Sequence, residues 1–86
     1  MAIRFSVIVP VYEQWHLVPA LLACLERQTL PKSRFEIILA DNGSTHFAPP
    51  ASLPANARII VCEVPGSYAA RNAAAAIATG DWFAFT

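Results

Sequence analysis

The sequence predicts an α/β fold with a mostly parallel sheet and helices against its faces. Apolar, β-branched runs alternate with segments of helical spacing, the order that parallel pairing requires because each crossover must be long. The runs are apolar at consecutive positions rather than at every second one, as in strands covered on both faces. One intervening segment is dominated by alanine, a strong helix former whose small side chain lets a helix lie close to a sheet.

Phe5 to Val11 reads as the first strand. A helical pattern runs from about Trp15 to Gln28, with Val18, Leu21, Leu22 and Leu25 on one stripe. Pro19 fits only the first turn, so the helix proper is expected to begin near Leu17 or Val18. Thr29 to Ser33 ends it, since Pro31 pushes its predecessor out of helical geometry. Phe35 to Ala40 is a second strand, running into the turn formers Asp41-Asn42-Gly43-Ser44-Thr45. His46 to Asn56 carries three prolines and no periodicity and reads as a loop. Arg58 to Glu63 is a third strand, followed by a break at Pro65-Gly66 that makes Ser67 a candidate N-cap. Tyr68 to Thr79 is the alanine-rich helix, with Gly80 at the expected C-terminal cap. Trp82 to Phe85 begins a fourth strand.

The 86 residues suit one domain or part of one, and 56% of them are apolar against 14% charged, the opposite of a disordered composition. Six basic residues balance six acidic ones, which leaves no basic footprint for nucleic acid. No apolar run approaches the roughly 18 residues that cross a bilayer, and no signal cleavage pattern follows the first strand. Cys24 and Cys62 lack metal or redox spacing and read as reduced packing residues of a cytoplasmic protein. The apolar excess in so short a chain calls for cover, from a larger protein or from a second copy in a homo-oligomer.

In parallel α/β sheets ligands bind beyond the carboxyl ends of the strands, where Tyr12, Glu13, Asp41, Asn42 and Ser44 gather on one rim. Asp41 can form an Asx turn, or its carboxylate can accept a hydrogen bond from a uracil imide N–H. Arg71, near the start of the alanine helix, can hold an anion with the helix dipole or pair with Asp41 or Asp81. No Walker loop and no Gly-x-Gly-x-x-Gly is present. His16 and His46 lack partners for a metal, and Ser44 lacks a nucleophile elbow. Trp15, Tyr68, Trp82 and Phe83 read as core or subunit-facing aromatics, with no basic residues interleaved among them to make a stacking platform.

Four blocks in register, Ser6 to Glu13, Gln28-Thr29, Phe35 to Thr45, and Gly66 to Asn72 continuing through Ala78 to Trp82, resemble the start of a family 2 glycosyltransferase. The resemblance implies the Rossmann-like N-terminal half of an A-type (GT-A) fold, with residues 1–86 as an incomplete domain. It implies transfer of a sugar from a nucleotide diphosphate donor, UDP-linked, to an acceptor that it does not name. It maps donor contacts to Pro10, Val11, Tyr12 and Glu13 after the first strand, to Asp41 at the base edge, and to Arg71, with Asn72 structural. The chain departs from the common pattern at Glu13, where asparagine is frequent, and at Asn42, where a second aspartate is frequent. The resemblance also implies a divalent cation, Mg²⁺ or Mn²⁺, on an Asp-x-Asp expected just after Thr86, so residues 1–86 alone should not catalyse transfer. Two rivals are a non-catalytic α/β nucleotide-binding or dimerising module, and a receiver domain phosphorylated at Asp41.

Overall fold

The computed structural model describes residues 3–28 and 30–85, so Thr29 and Thr86, which enter the expectations above, lie outside the described residues. Four parallel strands, β1 (Phe5–Val11), β2 (Phe35–Asp41), β3 (Ala57–Val61) and β4 (Trp82–Phe85), form one sheet in the order β3-β2-β1-β4. Helix α1 (Val18–Glu26) follows a 3₁₀ turn at Trp15–Leu17, and helix α2 (Ser67–Ile77) precedes β4. β1 and β2 pair along their whole length from Phe5↔Phe35 to Val11↔Asp41, so their carboxyl ends are level.

The two faces of the sheet bury different side chains. On one face Val9, Val11, Ile37 and Leu39 pack with Trp15, Val18 and Leu22 from the α1 side. On the other, Ile8, Ile38 and Ala40 meet Ala70 and Ala74 of α2, both fully buried. Every residue of β2 is buried, its apolar centre Ile37 to Ala40 as expected for a strand with neighbours on both sides, and Glu36 and Asp41 with it.

The elements follow the sequence closely, with three corrections near α2 and β3. β3 is Ala57–Val61 rather than Arg58 to Glu63, so Cys62 and Glu63 belong to the loop that follows it. Ser67 is the first helical residue, and the N-cap is Gly66, at a φ of 105° that disfavours any side chain. α2 stops at Ile77 with Ala78 as its cap, so Gly80 is not the cap. Gly80 instead lies against β1: a Cβ there would stand 2.6 Å from Ser6 Oγ and 2.7 Å from the Phe5 carbonyl carbon. The aromatics divide. Trp15 is buried, whereas Tyr68, Trp82 and Phe83 are exposed rather than in the core.

Candidate functional site

The loops leaving β1, β2 and β3 meet at the carboxyl end of the sheet around an open cleft of about 720 Å³. β1 and its loop supply Pro10, Val11, Tyr12 and Gln14. The β2 loop supplies Asn42 and Gly43, and the segment from β3 into α2 supplies Glu63, Pro65, Gly66, Ser67 and Arg71. The three positive-φ residues among those described, Glu13 at 54°, Gly43 at 82° and Gly66 at 105°, sit one on each of these loops. Glycine takes such a φ freely, so only at Glu13 is the backbone in a sparsely populated conformation, of the kind that persists where surrounding contacts over-determine it, often at functional sites.

Two carboxylates supply those contacts. Asp41 Oδ2 accepts the amides of Gly43 and Ser44, each at 3.1 Å, and Oδ1 accepts Trp15 Nε1–H at 2.7 Å. Glu13 accepts the next two amides, Thr45 at 3.0 Å and His46 at 3.1 Å, and its own N–H donates to Ser44 Oγ at 2.8 Å. Four consecutive amides, residues 43 to 46, therefore end on carboxylate oxygens supplied by two different loops. The Trp15 indole also packs edge-on against Phe47 with centroids 5.2 Å apart, which anchors the far side of the same loop.

Burial by itself raises the pKa of Asp41, but the Ser44 hydroxyl and amide, the Trp15 indole and the Gly43 amide outweigh it and hold the group below its ordinary value. The Glu13 pKa is lowered chiefly by the amides of His46 and Thr45. Both groups are therefore anions at neutral pH, matched to the N–H donors they receive.

Asn42 links the β2 loop to the β3 loop. Its Nδ2 donates to the carbonyls of Val64 at 2.7 Å and Cys62 at 3.2 Å, and its Oδ1 accepts Gly66 N–H at 2.8 Å. An aspartate could accept from Gly66 but could not donate to two carbonyls, so the amide is matched to its partners.

Of the six residues assigned to donor contact from the sequence, Pro10, Val11, Tyr12 and Arg71 line the cleft. Glu13 and Asp41 do not. Asp41 is 2% exposed, and its oxygens are engaged as above, so its geometry is that of the Asx turn rather than of a base contact. Arg71 is exposed and, among the described residues, has no carboxylate partner, so it ties neither to Asp41 nor to Asp81. Gln14, Glu63 and Ser67 were not singled out as contacts. The signal for them was positional, since each lies within a few residues of a strand's carboxyl end or at the start of the next helix.

Among the described residues no group of three or more His, Cys, Asp or Glu could hold a metal ion. No helix among them is long and apolar enough to cross a membrane. Cys24 and Cys62 are free thiols, the first exposed and the second buried.

Known proteins share the fold that carries this cleft. Glycosyltransferase AglE of Haloferax volcanii is 35% identical over 93% of this chain, which spans 28% of AglE. A crystal structure of S. aureus TarS residues 1–349 superposes with a TM-score of 0.80 at 29% identity, over 98% of this chain and 27% of that one. The same TarS fragment in complex with UDP-GlcNAc gives 0.76 at 30% identity, over 98% of this chain and 26% of that one. The chain thus spans about a quarter of the length of these relatives, and its α/β architecture is that of the GT-A fold. Residues 6–86 match the family model described as Glycosyl transferase family 2, and the chain belongs to that family.

Proposed function

We propose that the cleft binds the nucleotide of a UDP-linked sugar donor, for transfer of the sugar to an acceptor by the protein of which this chain forms the donor-binding part. The observation that carries this reading is the meeting of Pro10, Val11, Tyr12 and an Arg71 that has no partner among the described residues, in one cleft at the carboxyl ends of adjacent parallel strands. TarS, similar over nearly the whole chain, has been solved with UDP-GlcNAc and with UDP.

In this reading the Tyr12 ring, 59% exposed in the cleft, offers an aromatic surface to the base. Pro10 and Val11 flank the nucleoside. Arg71 and the N-terminal amides of α2 face the diphosphate, where a permanent fork of donors and the positive end of the helix favour an anion. Glu13 and Asp41 act at one remove by holding residues 43–46 against the cleft.

A divalent cation, where one is bound, would supply positive charge against a leaving diphosphate. The described residues do not fit such a cation, since none of them form a ligand group. Its ligands are assigned to the Asp-x-Asp expected beyond Thr86, and residues 1–86 alone are expected to bind donor without transferring sugar. A cytoplasmic location goes with this reading.

The test is calorimetric titration of the full-length protein with UDP. Binding that weakens about tenfold or more in Arg71→Ala supports the reading. A protein that takes up no UDP at high micromolar concentration removes it.

The β4 edge favours a second reading. All four of its residues are exposed, including Trp82, Phe83 and Phe85, as expected of a module that self-associates through this strand. Light scattering that shows only monomer would dismiss self-association.

A further inference from the structure

We propose that Glu63 recognises the nucleoside of the donor by accepting a hydrogen bond from one of its N–H or O–H groups. The inference rests on the donor-site reading and adds the group that selects the nucleoside within it.

Three carboxylates stand at the carboxyl end of the sheet, Asp41 as the last residue of β2 and Glu13 and Glu63 on loops. Glu13 and Asp41 do not line the cleft, and their oxygens are engaged by four backbone amides and an indole. The Asn42 amide, which does reach the cleft, has its oxygen and its nitrogen already bonded to the β3 loop. Glu63 differs from all of these. It lines the cleft, it is exposed, and among the described residues it has no hydrogen-bond or ion-pair partner.

Arg71 lines the same cleft and is equally unpaired. Opposite charges on one cleft that do not neutralise each other leave room for a ligand that satisfies both. Such a ligand carries N–H or O–H donors at one end and an anion at the other, which is the chemistry of a nucleoside diphosphate. Glu63 follows β3, whereas Arg71 lies in the second turn of α2. At the β2 end Asp41 holds a turn, so the carboxylate open to a ligand is the one at the β3 end. Two groups on a uridine can supply the hydrogen: the imide N3–H of the base and the cis-diol of the ribose.

The experiment is titration of the full-length protein, wild type and Glu63→Ala and Glu63→Gln, with UDP, N3-methyl-UDP and 2′,3′-dideoxy-UDP. Glu63→Ala should weaken UDP ten- to a hundredfold, and Glu63→Gln less, because its amide oxygen still accepts. Wild type should bind one analogue more weakly than UDP by a similar factor, and Glu63→Ala should no longer distinguish the two. Weak N3-methyl-UDP assigns the contact to the base, and weak dideoxy-UDP assigns it to the ribose. Unchanged UDP affinity in Glu63→Ala overturns the proposal. So does wild type that binds both analogues as tightly as UDP, a result that needs no variant to fold. Wild type that binds no UDP at all instead overturns the donor-site reading beneath it.

Discussion

β2 carries a buried carboxylate at each end, Glu36 and Asp41, and the two ends do opposite things with them. At the amino end Glu36 Oε2 accepts Ser6 Oγ–H and Thr79 N–H, each at 2.7 Å, and Thr79 Oγ1–H at 3.0 Å, while Oε1 accepts Arg58 Nη2–H at 3.2 Å. Arg58 also donates to the Ile77 carbonyl, and Gly80 N–H donates to Ser6 Oγ. The network closes three strands and the end of α2 onto one another, and side chains fill it. At the carboxyl end Asp41 is bonded mainly to backbone amides of a turn, which stands away from the sheet and forms a wall of the cleft. A carboxylate satisfied by side chains from neighbouring strands seals an end of a sheet. One satisfied by its own following turn leaves that end open.

The comparison breaks most readily at Gly80. A methyl group there would meet β1 backbone at 2.7 Å, which has no free rotamer to yield, so Gly80→Ala should destabilise by about 2–3 kcal/mol in chemical denaturation. UDP affinity of the fraction that remains folded should match wild type, because the contact is at the far end of the sheet from the cleft. Weaker affinity would show that the two ends are coupled.

Asp41→Ala comes next. It leaves a buried indole N–H and two turn amides without their acceptor and should cost about 2 kcal/mol in stability. It should also weaken UDP binding, because the turn forms a wall of the cleft. Asp41→Asn keeps one acceptor oxygen and should recover part of both losses. Destabilisation with full UDP affinity would separate the turn from the site.

Acid titration sharpens the comparison further. Burial by itself raises the Glu36 pKa, but the Thr79 and Ser6 hydrogen bonds and the Arg58 charge outweigh it, and the net shift is downward, as it is for Asp41. A carboxylate with a lowered folded pKa contributes stability that is present above its ordinary value, 4.5 for Glu36 and 3.8 for Asp41, and is lost as pH falls through the lowered one. Stability should therefore be level from neutral pH down to about 4.5 and fall below it. Glu36→Gln should be less stable than wild type at pH 7 and lose less on acidification, as followed by circular dichroism. A parallel acid profile for the variant would mean that Glu36 is not the group responsible.

Arg71→Ala should give the smallest change in stability, within about 0.5 kcal/mol, because the side chain is exposed and has no partner among the described residues. Its effect belongs in UDP affinity alone, and a shift in the unfolding midpoint would place Arg71 in the packing of α2.

The sequence alone was enough for the architecture. The mostly apolar runs at Phe5 to Val11 and Phe35 to Ala40, interrupted at Ser6, Pro10 and Glu36, suit the middle of a sheet covered on both faces, and β1 and β2 lie there. Pro19 set the start of α1, because a ring without an N–H is tolerated only in the first turn. The turn formers from Asp41 to Thr45 marked the rim, and the motif blocks identified the family.

What tertiary structure alone decided is which polar residues on that rim line the cleft and which are engaged within the protein. Asp41 and Glu13 look like contacts in a linear reading because each follows a strand end. Whether an oxygen is free depends on which donors the fold brings within hydrogen-bond distance of it: for Asp41 they include the Trp15 indole from beyond β1, and for Glu13 they are amides of residues more than thirty positions away. Gly80 is a similar case, a glycine where a cap was expected, required instead by the backbone of β1 more than seventy residues earlier. Local propensity and periodicity act over one turn or one strand, so they carry the elements. The pairing of distant donors and acceptors exists only once the sheet has brought the loops together.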